Sequence, residues 1–206
     1  MSEDFDERAR TWDQDPAKVR RARAVAEAVR AAVPLGPATR MLEYGAGTGL
    51  VTQELAGEVG QVTLVDPSRG MREVMAEKVA AGELPADARL WGLDLAVDPA
   101  PDEQVDLVVT VMTLHHIDDV QGALRGLAAV LADGGRLCAV DLEQEDGSFH
   151  GPDSGFDGHL GFAREDLARQ LEDAGFTDVR FERCYEIPKH GTTYPLFLAS
   201  CRRAAR

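Results

Sequence analysis

A short apolar run that ends in a glycine-rich turn constrains this chain more than any other feature. Residues 41–49 read MLEYGAGTG, and the next apolar run, VTLVD, ends in Asp66. Between them lies a segment with helical spacing of its apolar residues. The elements therefore follow in the order strand, glycine loop, helix, strand and acidic residue. This order is typical of the nucleotide-type pocket of an open α/β sheet. The glycines let the backbone approach a ligand closely, and the carboxylate of Asp66 is positioned to accept hydrogen bonds from ribose hydroxyls.

The spacing of the glycines narrows the class of ligand. A dinucleotide-binding turn reads GxGxxG/A, because a small third residue allows close packing of the helix on the strand. Here the spacing is GxGxG, and the third position of the dinucleotide pattern is occupied by the large Leu50. The phosphate-binding pattern GxxxxGK[ST] does not occur in the sequence. On the motif alone, an ordinary turn between a strand and a helix stays open as an alternative.

The position of Glu43, two residues before the first glycine, adds to the GxGxG spacing. Together they resemble motif I of the class I S-adenosylmethionine-dependent methyltransferases. The resemblance extends over residues 39–203. It implies an α/β fold with a doubly wound, mostly parallel, Rossmann-like sheet of seven strands in the order 3-2-1-4-5-7-6, in which strand 7 is antiparallel. It also implies S-adenosyl-L-methionine as cofactor, bound across the carboxyl ends of strands 1, 2 and 4.

The resemblance assigns roles to residues along the first four strands. The glycines flank the methionine part of the cofactor, Asp66 binds its ribose, and Asp94 in the run WGLDL meets the adenine amino group. The full set that it assigns to the cofactor is Glu43, Gly45, Ala46, Gly47, Asp66, Pro67, Met71, Asp94, Leu95, Thr110 and Val111.

Apolar runs and helical spacing alternate along the chain. Strands are predicted near residues 39–44, 61–65, 88–91, 105–111, 135–142, 178–186 and 193–202. Helices are predicted near residues 17–33, 49–58, 68–81, 119–132 and 163–174. Such alternation predicts a parallel sheet that is covered on both faces.

Composition limits the classes of protein to which the chain can belong. The 206 residues predict one domain. The resemblance implies that 39–203 form its core and that 1–33 form a helical lid over the cofactor. The net charge of −14 disfavours nucleic acid and favours a small-molecule substrate. The three scattered cysteines form no zinc motif. An acidic N-terminus and the lack of a long apolar run predict a cytoplasmic protein, either monomer or homodimer, without membrane contact.

Methyl transfer to a neutral nucleophile requires that a proton be lost, and histidine suits that task near neutral pH. His115 follows the predicted fourth strand and is the candidate catalytic base. In the family that the sequence resembles, the first position of such a pair faces the cofactor or the substrate, and the second, here His116, is often structural.

A second group of polar residues follows the predicted fifth strand. Asp141 and Glu143 are expected to point the same way, and the long loop at 143–161 adds His150 and His159. With Trp12 of the lid, these residues are candidate substrate contacts. A solvated acidic loop and a metal site are the alternatives, and since no compact ligand motif is present we predict no metal.

Three functions remain open from the sequence alone. The first is methyl transfer from S-adenosylmethionine to a small molecule. A nicotinamide-dependent oxidoreductase is the second, and it is opposed by Leu50 and by the predicted C-terminal hairpin. The third is a domain that binds S-adenosylmethionine without catalysis, since binding residues and catalytic residues are different things.

Overall fold

The computed structural model describes residues 2–151 and 155–205. A seven-stranded sheet forms the centre of the fold, in the order β3-β2-β1-β4-β5-β7-β6. Its strands are β1 Met41–Tyr44, β2 Val62–Val65, β3 Arg89–Trp91, β4 Val105–Val111, β5 Leu131–Leu142, β6 Phe176–Lys189 and β7 Thr192–Arg203. The predicted strand order is confirmed.

The strand directions also match the prediction. β1 pairs in parallel with β2 and β4, while β7 is antiparallel to both β5 and β6. The last two strands form a hairpin whose turn contains His190 at φ 51° and Gly191 at φ 78°. Two successive residues with positive φ are typical of the type I′ turn, which matches the twist of a hairpin.

The described part of the chain contains six α-helices and two short 3-10 helices, of which the first two α-helices and the first 3-10 helix precede β1. The α-helices are α1 Ser2–Arg8, α2 Pro16–Ala32, α3 Leu50–Leu55, α4 Arg69–Ala81, α5 Val120–Val130 and α6 Arg164–Asp173. The 3-10 helices are Ala9–Gln14 and Leu114–His116. The predicted helices correspond to α2 through α6, whereas α1 was not predicted as a separate element. None of the helices in the described residues is both long and apolar enough to cross a membrane.

Local capping explains where two of these helices begin. Pro16 occupies the first turn of α2, where its missing N–H costs nothing, and the side chain of Asp15 accepts a hydrogen bond from the Ala17 N–H. Ser68 accepts a hydrogen bond from the Met71 N–H, at 3.1 Å, and so starts α4 directly after β2. The start of α4 therefore lies at the carboxyl edge of the sheet.

The core has two layers, one on each face of the sheet. On one face, Val25 and Val29 of α2 pack with Leu107 of β4. On the other, Leu124 of α5 packs with Val108. Because successive strand residues point to opposite faces, a strand that is covered on both sides is apolar throughout. This explains the unbroken apolar run Leu107, Val108 and Val109 at the centre of β4.

Candidate functional site

The glycine loop joins β1 to α3 at the carboxyl edge of the sheet. Gly45, Gly47 and Gly49 have φ values of 68°, 56° and 79°, which residues with a Cβ rarely adopt. A Cβ on Gly45 would lie 2.2 Å from Thr113 Oγ1, so packing against the chain requires this glycine. At Gly47 the nearest atom within 4 Å of a Cβ would be Trp12 Nε1, at 3.9 Å. The open side of the loop is therefore at Gly47.

Asp66 follows β2 and lies directly against this loop. Its Oδ2 accepts a hydrogen bond from the Gly47 N–H at 2.7 Å, and its Oδ1 accepts one from the Ser68 N–H at 2.9 Å. The residue is 8% exposed, and burial raises the pKa of its carboxyl group. A carboxylate has about four acceptor positions, so acceptor capacity remains for the predicted ribose hydroxyls.

Glu43 lies near the end of β1 and contacts the start of α3. It is 3% exposed, and its Oε2 accepts hydrogen bonds from Thr52 N at 3.0 Å and from Thr52 Oγ1 at 2.5 Å. Thr52 is in the first turn of α3, whose N-cap, Gly49, has no side chain to satisfy the free N–H groups. Glu43 therefore caps α3 from the neighbouring strand and fixes the loop from behind. Burial raises the pKa of Glu43 to about 7.

The remaining residues assigned to the cofactor lie along the same edge. Asp94 follows β3, and its Oδ1 accepts hydrogen bonds from the Tyr44 hydroxyl at 3.1 Å and from Ala96 N at 3.0 Å. Thr110 is 1% exposed, and among the residues that the structure describes its Oγ1 has no hydrogen-bond partner. Of the others, Ala46, Met71 and Leu95 are buried, Val111 is half-buried and Pro67 is exposed.

The N-terminal segment packs beside the glycine loop, and its role as a lid stays a prediction. Asp13 accepts a hydrogen bond from Thr48 Oγ1 at 2.5 Å, and its other oxygen lies 2.5 Å from Lys78 Nζ. Asp6 accepts hydrogen bonds from the Ser68 hydroxyl and from the Gly70 N–H. These polar contacts hold the segment against α3 and α4, and place the half-buried Trp12 opposite the loop.

His115 lies just beyond the carboxyl end of β4, in the 3-10 helix Leu114–His116. Met112, with φ 55°, turns the chain there, and a positive φ at a residue other than glycine is uncommon. His115 is 1% exposed, and its Nδ1 lies 2.6 Å from Asp141 Oδ1. Asp141 is completely buried and also accepts a hydrogen bond from the His115 N–H at 3.2 Å. Asp141 thus orients His115, and it has no exposed surface with which to contact a substrate.

Glu143 differs from Asp141 in exposure and in its partners. It is half-buried and follows the last residue of β5, Leu142. Glu143 Oε1 accepts a hydrogen bond from Arg164 Nε at 2.9 Å, and the two residues form an ion pair. This pair joins the start of the long loop to the start of α6.

The long loop packs back onto the histidine segment. The His159 N–H donates to the His115 carbonyl at 2.8 Å, and His159 Nε2 lies 3.0 Å from the Ile117 carbonyl oxygen. His150 stacks on Phe156, with ring centroids 3.6 Å apart. Part of the predicted loop, Pro152–Ser154, lies outside the described residues. His159 is thus an anchor of the loop, while His150 lies beside His115.

Three histidines meet at this point, and the sequence predicted only part of the set. One ring nitrogen from each of His115, His116 and His150 lies within 4.8 Å of the others. Burial, reinforced by the neighbouring histidines, lowers the pKa of His116 to about 3. Burial likewise lowers the pKa of His150 to about 4. From the sequence, His116 is interpreted as structural. No short sequence motif contains both His116 and His150, because only the fold of the long loop brings these two residues together.

Comparison with known proteins identifies the family to which this arrangement belongs. A family model described as a methyltransferase domain matches residues 17–180, which is well over half of the chain. The chain belongs to the methyltransferase domain family. The resemblance to class I S-adenosylmethionine-dependent methyltransferases that the glycine loop suggested is thereby confirmed.

Curated relatives of this methyltransferase domain agree with the assignment. An uncharacterized methyltransferase of Schizosaccharomyces pombe is 31% identical in an alignment of 153 residues that covers 68% of this chain and 54% of the relative. The ubiquinone/menaquinone biosynthesis C-methyltransferase UbiE of Shewanella sediminis is 28% identical over 111 residues, covering 52% of this chain and 44% of that protein. The chain thus spans about half the length of these relatives.

A solved structure shows the same fold. The N-methyltransferase NodS from Bradyrhizobium japonicum, determined in complex with S-adenosyl-L-homocysteine, superposes with a TM-score of 0.71 at 18% identity. The match covers 93% of this chain and 89% of NodS. At 18% identity, this similarity shows that the two proteins share a fold.

The residues along this edge fit S-adenosylmethionine. Gly47 leaves space beside the loop, Asp66 has acceptor capacity for hydroxyl groups, and the unpaired Thr110 Oγ1 lies at the end of the neighbouring strand. When bound, the cofactor supplies an electrophilic methyl group on its sulfonium sulfur. Positioning it against an acceptor and removing water are then the main tasks of the protein.

Proposed function

We propose that this methyltransferase domain transfers a methyl group from S-adenosylmethionine to a small-molecule acceptor. The observation that carries the proposal is the hydrogen bond between Asp66 and the Gly47 N–H. It brings the acidic group that follows β2 to the open side of the glycine loop after β1, and the strand order reverses beside this loop, between β1 and β4. Ligands of open α/β sheets bind at such switch points.

The proposed site has two parts. The donor half, around the glycine loop, would hold the cofactor, and the acceptor half, around the end of β4, would hold the methyl acceptor. In the donor half, the glycine loop presents backbone at close range and Asp66 accepts hydrogen bonds from the ribose. The lid, with Trp12 over the loop, excludes water from the reacting atoms. In the acceptor half, His115 and His150 line the end of β4, and Asp141 keeps His115 in one orientation.

Two features support a small acceptor. The lid is held against both α3 and α4 by Asp13 and Asp6, which limits the space above the donor half. The net charge of −14 opposes the approach of a phosphate backbone. The relatives do not determine which atom is methylated, since UbiE is named as a C-methyltransferase and NodS as an N-methyltransferase.

The five residues that the sequence predicts as substrate contacts differ in exposure and in their hydrogen bonds, and we assign them different roles. We assign Trp12 and His150 to direct contact with the acceptor, because both are partly exposed beside the site. Asp141, Glu143 and His159 support them from behind through their bonds to His115, Arg164 and Ile117 respectively. This modifies the prediction from the sequence, which gave all five residues the same role.

Calorimetry with S-adenosylhomocysteine and, separately, with NADH tests the donor half. We expect binding of S-adenosylhomocysteine at micromolar concentrations and no response to NADH; the reverse result would support the oxidoreductase alternative. Transfer of a radiolabelled methyl group to a panel of metabolites then tests the acceptor half. Binding of the cofactor without transfer to any member of a broad panel would favour the non-catalytic alternative.

A further inference from the structure

We propose that His115, His116 and His150 form a binding site for a divalent transition-metal ion such as Zn²⁺. One ring nitrogen from each residue lies within 4.8 Å of the others. The inference rests on this geometry and goes beyond methyl transfer itself, because it assigns to the acceptor half a ligand that the fold family does not require.

Each of the three histidines has one buried ring nitrogen that is available to an ion. Within the described residues, His115 Nε2, His116 Nδ1 and His150 Nε2 have no hydrogen-bond partner. A buried polar atom without a partner costs about 1–3 kcal/mol, so folded proteins rarely leave three together. An ion bound by all three nitrogens satisfies them at once.

Asp141 orients the ring of His115, one of the three proposed ligands. Its carboxylate lies 2.6 Å from His115 Nδ1, which fixes the proton of the neutral ring on that nitrogen. The lone pair is then on Nε2, which is the atom without a partner. Carboxylate, histidine and metal in this order recur in metalloproteins, where the carboxylate orients the ring and raises its basicity.

The type of ligand indicates the type of ion. Imidazole nitrogens favour zinc, copper, nickel and iron, whereas magnesium and calcium prefer oxygen ligands. Three protein ligands with a fourth position left for water or substrate are typical of catalytic zinc sites. Tetrahedral Zn–N bonds of about 2.0–2.1 Å place ligand nitrogens roughly 3.3 Å apart. The upper limit of 4.8 Å on the separations in this cluster is larger than that spacing, so an ion would draw the three rings together by side-chain rotation.

Aromatic side chains enclose the cluster. Phe5 of the lid packs edge-on against His116, with ring centroids 5.4 Å apart, and Phe156 stacks on His150. His159 ties the loop that carries His150 to the backbone of His115. An apolar surround of this kind restricts water and strengthens the interaction between an ion and its ligands.

The proposal departs from the prediction made from the sequence, which gave no metal. The possible metal ligands in the sequence analysis are Asp141, Glu143, His150 and His159. Of these, only His150 belongs to the three-histidine cluster. An ion on His115 Nε2 would also replace the direct role of His115 as a base, because the lone pair would be engaged. The ion could then bind the oxygen or sulfur of an acceptor.

Metal binding is tested on the full chain, first stripped with a chelator and then titrated with Co²⁺ or Zn²⁺ alone. We expect one ion per chain, with a Co²⁺ absorption spectrum typical of tetrahedral nitrogen coordination. His150→Ala and His116→Gln should each weaken binding by at least 100-fold. His190→Asn is the matched control, because it removes an exposed histidine in the β6–β7 turn and should leave binding unchanged.

Asp141→Asn tests the orienting carboxylate, since it leaves all three ligands in place. Loss of such a partner lowers metal affinity by about 10–100-fold. Binding of S-adenosylhomocysteine by each variant shows that the fold and the donor half are intact, so a failure of the metal site is distinguishable from a failure of the proposed function. The proposal is overturned if wild type binds no ion at stoichiometric concentration, or if the His150 and His190 variants bind equally well.

Discussion

Asp66 Oδ2 accepts a hydrogen bond of 2.7 Å from the Gly47 N–H, and this bond joins the end of β2 to the glycine loop that follows β1. The same carboxylate accepts a second bond from Ser68 at the start of α4. One acidic side chain therefore fixes two of the backbone segments that surround the proposed cofactor site, and it is also the group expected to hold the ribose.

Replacing Asp66 by alanine should reduce both affinity and stability. Loss of charge-assisted bonds to the ribose hydroxyls should weaken binding of S-adenosylhomocysteine by about 1.5–3 kcal/mol, measured by calorimetry. The melting temperature should fall as well, because the N–H groups of Gly47 and Ser68 lose their acceptor. Asp106→Ala is the control, since Asp106 pairs with Arg40 at the opposite edge of the sheet. It should lower stability without changing affinity, and equal affinity losses would refute the assignment of Asp66.

Two glycines of the loop should respond differently to alanine. At Gly45 a Cβ would collide with Thr113, so Gly45→Ala should destabilise the fold by several kcal/mol or prevent folding. At Gly47 a Cβ would meet only Trp12 Nε1 at 3.9 Å, so Gly47→Ala should cost about 1–2 kcal/mol through its positive φ. Gly47→Val should in addition reduce cofactor affinity, because the larger side chain enters the open side of the loop. Thermal unfolding and calorimetry of the three variants separate these effects.

The contrast between these glycines shows what the sequence could and could not predict. The positions of the strands and helices could be predicted from periodicity, and the glycine loop and Asp66 from a local motif, whereas the strand order followed only from the resemblance to a family that this motif suggested. The distinction between Gly45 and Gly47 could not, because it depends on Thr113, which is distant in the sequence. The same holds for Glu43, whose partner Thr52 lies in the next helix, and for the meeting of His116 with His150.

The buried carboxyl group of Glu43 should make stability depend on pH. Its pKa is about 7 in the folded protein, compared with an ordinary value of 4.5, so the folded state holds the proton more tightly than the unfolded chain. The contribution of this group to stability is therefore fully present below pH 4.5 and is lost as the pH rises to 7. The expected loss is about 3 kcal/mol.

Chemical denaturation of Glu43→Gln between pH 5 and pH 8 tests this expectation. The variant cannot ionise at this position, so its stability should fall less over that range than the stability of wild type. Glu27→Gln, which replaces an exposed carboxylate on α2, is the control and should follow wild type. If Glu43→Gln and wild type lose stability in parallel, then the carboxyl group of Glu43 does not titrate in this range.

Two ion pairs connect the proposed lid to α4, and they differ in burial. Asp13 pairs with the buried Lys78 at 2.5 Å, whereas Arg10 and Glu77 pair at 3.2 Å with side chains that are 69% and 60% exposed. Breaking a buried pair is costly, while exposed pairs contribute about 0–1 kcal/mol. Lys78 keeps its bonds to the Thr48 carbonyl and to Gln53, so the cost of Asp13→Asn should stay below the roughly 3–5 kcal/mol of a fully orphaned charge.

Because Asp13 also bonds to Thr48 in the glycine loop, its loss should let the lid open more often. We expect Asp13→Asn to release S-adenosylhomocysteine faster in stopped-flow measurements and to be cleaved sooner by protease within the N-terminal segment. Arg10→Ala should behave like wild type in both measurements, although it too removes a contact between the lid and α4. Equal release rates for the two variants would mean that the Asp13 contacts do not control access to the cofactor, and that the lid is held by its apolar contacts through Phe5 and Trp12.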